Sequence, residues 1–94
     1  MKATVVLVGA GRVGLNLMRH LRRMHIPLYC IVERDPDRRM QASGAFPGAI
    51  LAPDLPAPWP SGITHCILAV PDGQISRVAH ALASEPSLPA GLVV

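Results

Sequence analysis

Residues 5 to 8 read Val-Val-Leu-Val, the next six read Gly-Ala-Gly-Arg-Val-Gly, and a helical pattern begins at once behind them. Few folds accept such a sequence of events. A strand with no polar side must be covered on both faces, which is the position of a central strand in a parallel sheet. The glycines at 9, 11 and 14 keep G-x-G-x-x-G spacing between that strand and the helix, and each has its own physical use. Gly9 lets the chain reverse sharply, Gly11 offers backbone with no Cβ in front of it, and Gly14 lets the helix lie close on the strand. The helix opens with N–H groups that have no intrahelical acceptor, and its dipole favours an anion there. No Ser, Thr, Asp or Asn stands at residues 9 to 14 to cap it. A bound phosphate suits that vacancy. Gly9, Ala10, Gly11, Arg12, Val13 and Gly14 are therefore candidate pyrophosphate-binding residues.

The remaining pattern alternates. A first strand over residues 3–8 leads into a helix from Arg12 to about His25, whose expected apolar stripe is Val13, Leu17, Leu21 and Met24. Ile26-Pro27 ends that helix, because a residue before proline avoids helical dihedrals. Leu28 to Val32 is a second strand, closed by Glu33. Asp35 and Pro36 then fit the cap and first position of a short helix that Gly44 stops. Residues 49–51 are a candidate edge strand. The prolines at 53, 56, 58 and 60 leave no room for a helix, so this crossover is expected as an extended loop held down by Trp59. Thr64 to Val70 is a fourth strand, and Asp72 fits the cap of a helix with Ile75, Val78, Ala79 and Leu82 on its apolar side. Leu92-Val93-Val94 reads as a fifth strand that the chain end cuts off.

Such alternation predicts an α/β fold, an open, doubly wound parallel sheet with right-handed crossovers and strand order 3-2-1-4-5. The 94 residues make one domain, 1–94. Half of them are hydrophobic and 16% charged, which fits a globular chain and not a disordered one. Apolar runs fall far short of a membrane span, and no targeting segment is evident, so a cytoplasmic location is the default expectation. Net charge is +3, concentrated in Arg12, Arg19, Arg22, Arg23, Arg34, Arg38 and Arg39. With only Tyr29, Phe46 and Trp59 as aromatics, this reads as a solvated helix face and a phosphate-friendly rim, not as a nucleic-acid surface. Cys30 and Cys66 fall on strands either side of the first, about 9–10 Å apart, too far for a disulfide.

Ligands of such sheets sit outside the carboxyl ends of the strands, where the winding reverses. The loops 9–14 and 69–74 converge there, the first suited to a pyrophosphate, the second bordering ribose and nicotinamide through Ala69, Val70, Pro71 and Gln74. Glu33 stands nineteen residues after Gly14, the spacing of a carboxylate that accepts ribose hydroxyls. Such a carboxylate favours NAD. Arg34 follows it, with Arg38 and Arg39 nearby, and guanidinium groups pair with the extra phosphate of NADP. The cofactor is expected to be NAD or NADP. As a candidate acid or base Asp72 is the one carboxylate at the crevice, and it reads as a helix cap. His65 would lie at the far end of the sheet, and His20 and His25 have no partners at a metal-ligand spacing. No catalytic or metal-ligating residue is assigned.

The runs VLVGAGRVG at 6–14, Glu33-Arg34 and ILAVPDGQI at 67–75 resemble the amino-terminal, Rossmann-like domain of an oxidoreductase superfamily. Its members include pyrroline-5-carboxylate reductase, 6-phosphogluconate dehydrogenase and ketopantoate reductase. The resemblance covers nearly the whole chain, with Val70-Pro71-Asp72 its more telling part. It implies an NAD(P)-binding domain of a small-molecule oxidoreductase. Those relatives continue into a sixth strand and a helical domain that supplies catalytic groups and a dimer interface. This sequence stops after the fifth strand, so the chain alone is expected to bind cofactor without turnover, and an exposed sheet edge offers a homodimer contact. The alternative is a nucleotide-sensing module like those that regulate potassium transport, which share G-x-G-R-x-G and a carboxylate ending the second strand. Their fourth strand, however, is followed by an acidic residue and Asn, where this chain has Pro71-Asp72-Gly73-Gln74.

Overall fold

A computed structural model describes residues 4–86 of the chain. Seven elements alternate along it: β1 (Val5–Val8), α1 (Arg12–Arg23), β2 (Leu28–Val32), α2 (Pro36–Ala45), β3 (Ile50–Ala52), β4 (His65–Leu68) and α3 (Asp72–Ala83). The four strands form one parallel sheet in the order β3-β2-β1-β4. The expected fifth strand at 92–94 lies outside the described residues.

Every residue of β1 is buried, and alternate residues serve opposite faces of the sheet. Val5 and Leu7 pack with Leu28 and Ile31 beneath Met18 and Leu21 of α1 and Ala42 of α2. Val6 and Val8 pack with Cys30, Val32 and Cys66 against Val78 and Leu82 of α3. Two helices thus cover one face and a single helix the other. What completes the second face is the proline-rich loop, which carries Trp59 and Ile63 into the same cluster. The loop expected between the third and fourth strands is present, and Trp59 holds it down as expected.

Two helices differ from their sequence pattern. In α1 the buried residues are Gly14, Met18 and Leu21, whereas Val13 is 70% exposed and Met24 66% exposed. The stripe is displaced because Gly14, not Val13, makes the nearest approach to the sheet. Met24 lies beyond the last helical residue, where the 3.6-residue phase no longer applies. The helix stops two residues before the expected His25, in a Schellman turn. His25 takes φ 56, its N–H donates to Arg22 O, and the Ile26 N–H donates to Leu21 O. In α2 the Asp35 side chain accepts from the Asp37 N–H at 2.9 Å and Pro36 opens the helix, as the sequence predicts. Gly44 does not stop α2, which runs on to Ala45. One glycine costs a helix only about 1 kcal/mol, and Ala45 and Phe46 beyond it gain contacts with the core.

Cys30 and Cys66 both sit opposite Val6, one on either side of β1, as free and buried thiols. Burial raises both thiol pKa values, that of Cys66 to about 11. Among the described residues no helix is long and apolar enough to cross a membrane.

Candidate functional site

The parallel register places Val8 between Val32 and Leu68, so three loops leave the sheet side by side. Their roots are tied by backbone hydrogen bonds. The Gly9 N–H donates to Val32 O at 2.8 Å, the Ala69 N–H to Val8 O at 2.7 Å, and the Glu33 N–H to Ala52 O at 2.8 Å.

Within this frame the three glycines of the first loop are not equivalent. Gly9 has φ +105, and a Cβ on it would collide with the Ala69 carbonyl. A Cβ on Gly14 would collide with the carbonyl of Gly9. Both are locked by the protein's own backbone. Gly11 has an ordinary φ of −78, and a Cβ there would meet nothing within 4 Å. Neither strain nor packing within the chain calls for glycine at position 11. It is the N-cap of α1, no side chain caps that helix end, and its first turn holds no acidic residue. The end of α1 therefore keeps its positive partial charge toward the adjoining cleft.

Ala10 is the exception among these backbone groups. It is fully buried, and its N–H donates to Glu33 Oε1 at 2.8 Å. The other carboxylate oxygen, Oε2, accepts from the Asp35 N–H at 3.1 Å. Glu33 thereby bridges the glycine turn and the β2–α2 turn through both of its oxygens. The turn that carries it is tied in turn by Arg39, whose Nη1 donates to Glu33 O at 2.7 Å and Arg34 O at 2.9 Å. Arg34 faces Asp54 and Arg38 faces Asp35, each pair at 3.9 Å and exposed to solvent.

A cleft of about 1160 Å³ opens across these loops. One wall holds Gly9, Gly11, Arg12 and Val13; the next holds Glu33 and Arg34; Ala69, Val70, Pro71 and Gln74 form the third. Ten of the twelve candidate residues thus line one cavity. Ala10 and Gly14 do not. The first supplies the amide that holds Glu33, and the second the close helix–strand contact.

Asp72 does not act as the helix cap that its position suggests. Pro71 occupies the N-cap, Asp72 is the first residue of α3, and no side-chain cap bond is made. Its carboxylate lies exposed at the cleft, where it faces the helix dipole without bonding a backbone amide. His65 begins β4 at the other end of the sheet, with Nδ1 2.8 Å from Thr64 Oγ1. Among the described residues no group of three His, Cys, Asp or Glu is placed to hold a metal.

Several cleft residues escaped the sequence pattern. Leu55 and Trp59 of the proline-rich loop and Ile75 and Val78 of α3 add apolar side chains to the lining of the cleft. The available signal was the missing crossover helix, since a loop that replaces a helix must bring its own apolar side chains to the sheet. Ile75 was expected in the core, yet it is 40% exposed and turned toward the cleft. The chain matches no protein-family model, no curated protein and no solved structure.

Proposed function

We propose that the chain is a dinucleotide-binding domain, Rossmann-like in its winding, that serves a small-molecule oxidoreductase using NAD or NADP. The observation that carries this reading is the uncapped end of α1 at Gly11, open to the cleft, with Glu33 fixed one loop away. A pyrophosphate against Gly11, Arg12 and Val13 would take the place of the absent cap. Each Glu33 oxygen accepts one amide and retains lone-pair capacity, so ribose hydroxyls can donate to it without displacing either bond. Apolar Leu55, Ile75 and Val78 offer a wall for a flat heterocyclic ring. The residues present therefore fit the group in charge, in hydrogen-bonding sense and in volume. Bound there, the dinucleotide would supply hydride-transfer chemistry, and these residues would bind and orient it.

The preference for an oxidoreductase domain over a nucleotide sensor rests on the loop Val70-Pro71-Asp72-Gly73-Gln74, which borders the cleft where a sensor of the kind described above carries an acidic residue and Asn. Trp59 is the only tryptophan and lines the cleft, so its emission reports binding directly. Titration with NADH should quench Trp59 and sensitise the emission of the reduced nicotinamide in one saturable process. Absence of saturable binding by both NADH and NADPH at millimolar concentration would refute the reading. AMP or ATP binding as tightly as either dinucleotide would favour the sensor.

A further inference from the structure

We propose that a groove between α1 and α2 docks an acidic helical segment of a partner protein, held by Arg19 and Arg22. The groove encloses about 470 Å³ and is lined by Leu15, Arg19 and Arg22 of α1 and by Gln41, Gly44 and Ala45 of α2. None of these residues lines the cleft at the strand ends, so its occupancy does not depend on whether a dinucleotide binds.

Charge is in excess on this side of the molecule. Helix α1 holds four arginines and no carboxylate. Among the described residues the ion pairs join Arg34 to Asp54 and Arg38 to Asp35, which leaves Arg19, Arg22 and Arg23 with none. The Arg19 guanidinium donates only to the Asn16 amide oxygen, at 3.4 Å. The carboxyl-terminal ends of α1 and α2 each carry roughly half an elementary negative charge, and together they offset about one of these three cations. Roughly two remain unmatched. A guanidinium stays ionised and meets a carboxylate through paired hydrogen bonds. Arg19 and Arg22 are three residues apart and therefore neighbours on the helix surface. Their Cβ atoms stand about 5–6 Å apart, the spacing of two carboxylates one turn apart on a facing helix.

Shape points the same way. Gly44 lies inside α2, where glycine is unfavourable, yet a Cβ on it would meet nothing within 4 Å. Packing within the chain does not call for it. What it provides is a low rim where another backbone can come close. Leu15 and Ala45, half-buried against the core, add apolar surface to the same lining. An amphipathic helix suits both features, with its small and apolar residues toward Leu15, Gly44 and Ala45 and its carboxylates toward the arginines. A nucleic acid fits less well. From Leu15 to Arg22 the helix rises only about 10 Å. Asp37, one turn before Gln41 on α2, would repel a polyanion that ran on past the arginines. Tyr29, the exposed aromatic side chain among the described residues, lies on β2 and on neither helix, so the groove has nothing on which a base could stack.

The test uses the full chain and a labelled synthetic helix of about 15 residues, long enough to hold in isolation, with Glu at i and i+4 among Ala and Leu. Fluorescence anisotropy should show saturable binding at least about fivefold tighter than that of a scrambled peptide of the same composition. Arg19→Gln combined with Arg22→Gln should weaken binding by about fivefold or more, while Arg23→Gln, outside the groove, should leave it within about twofold. Gly44→Gln changes no charge; it should keep or raise the urea midpoint and still weaken the peptide by about fivefold. Equal binding of the scrambled peptide, or undiminished binding by the arginine double variant or by Gly44→Gln, would overturn the proposal. So would tighter binding of a single-stranded oligonucleotide of equal charge or of phosphatidylserine vesicles. Self-association of the unaltered chain that the arginine double variant abolishes would assign the groove to a second copy and overturn it too. Each of these failures leaves the dinucleotide reading intact.

Discussion

Alanine at Gly11 and alanine at Gly14 should separate binding from folding, because one position borders the cleft and the other borders the backbone. Position 14 lies inside α1, where Gly→Ala ordinarily gains about 0.5–1 kcal/mol of helix stability. Here the new Cβ would strike the carbonyl of Gly9. That carbonyl is not free to yield, since the Gly9 N–H is bonded to Val32 O in the adjacent strand and Gly9 itself is confined to φ +105. Forcing a methyl into packed backbone costs about 1–3 kcal/mol, and immovable backbone puts this case at the upper end. The net loss for Gly14→Ala is then about 2 kcal/mol, or roughly 8–16 °C in Tm for a domain of this size. At Gly11 a φ of −78 suits any residue and the methyl meets no atom within 4 Å. Replacing a glycine N-cap by alanine costs about 0.5–1 kcal/mol, while the stiffer unfolded chain returns about 0.4–1 kcal/mol. Gly11→Ala should thus keep its stability within about 0.5 kcal/mol and, under the proposed reading, lose about tenfold or more in NADH affinity, since the methyl would stand where the pyrophosphate approaches. Urea unfolding followed by Trp59 emission and NADH titration of the same samples would measure both quantities. Loss of stability in Gly11→Ala equal to that in Gly14→Ala would show that position 11 is an ordinary turn glycine. Unimpaired NADH binding by Gly11→Ala would remove the phosphate from that loop.

The two aspartates at helix starts offer a matched pair. Asp35→Ala should cost about 1 kcal/mol, because its carboxylate caps α2. Asp72→Ala should cost no more than about 0.5 kcal/mol, because Asp72 contributes only its charge near the dipole of α3; equal urea midpoints for the two variants would refute the difference in roles. Stability should also fall at alkaline pH through Cys66. Its thiol is raised from 9.0 to about 11 by burial, so it stays neutral in the folded protein where the unfolded chain would ionise. The contribution is complete below about pH 9 and is lost as pH rises toward 11, amounting to an order of 2–3 kcal/mol. Cys66→Ala should flatten that decline in urea midpoints taken at neutral and alkaline pH, and an unchanged decline would point to other groups.

Much of the winding was legible because β1 and β2 are short, aliphatic and bounded by glycine, proline or charge. The Asp35-Pro36 start of α2 was equally readable, since an N-cap and a first-turn proline act within two residues of each other. Phase was harder. Val13 and Met24 complete a plausible stripe in α1, but the sheet contact is set by the residue that lets the helix come nearest, and that residue is Gly14, which no hydrophobicity pattern counts. Asp72 misled for a related reason. A carboxylate before a helix is a good cap only at extended dihedrals outside the first turn, and Pro71 takes that place instead.

The lining of the cleft was legible as a set of residues, but the bonds among them were not. Its membership follows from topology, since loops after adjacent parallel strands must emerge together. Which partner each side chain takes depends on register, and register is a property of the whole sheet. Ala10 and Glu33 are 23 residues apart, and they meet because Val8 lies beside Val32. That single alignment gives Glu33 two tasks. It satisfies the buried amide of the glycine turn, holding the turn in shape, and it presents the same carboxylate to the cleft. Under the proposed reading, the side chain that holds the turn in shape would also receive the ribose hydroxyls. Substitutions that remove its acceptor oxygens should therefore loosen the turn as well as weaken dinucleotide binding.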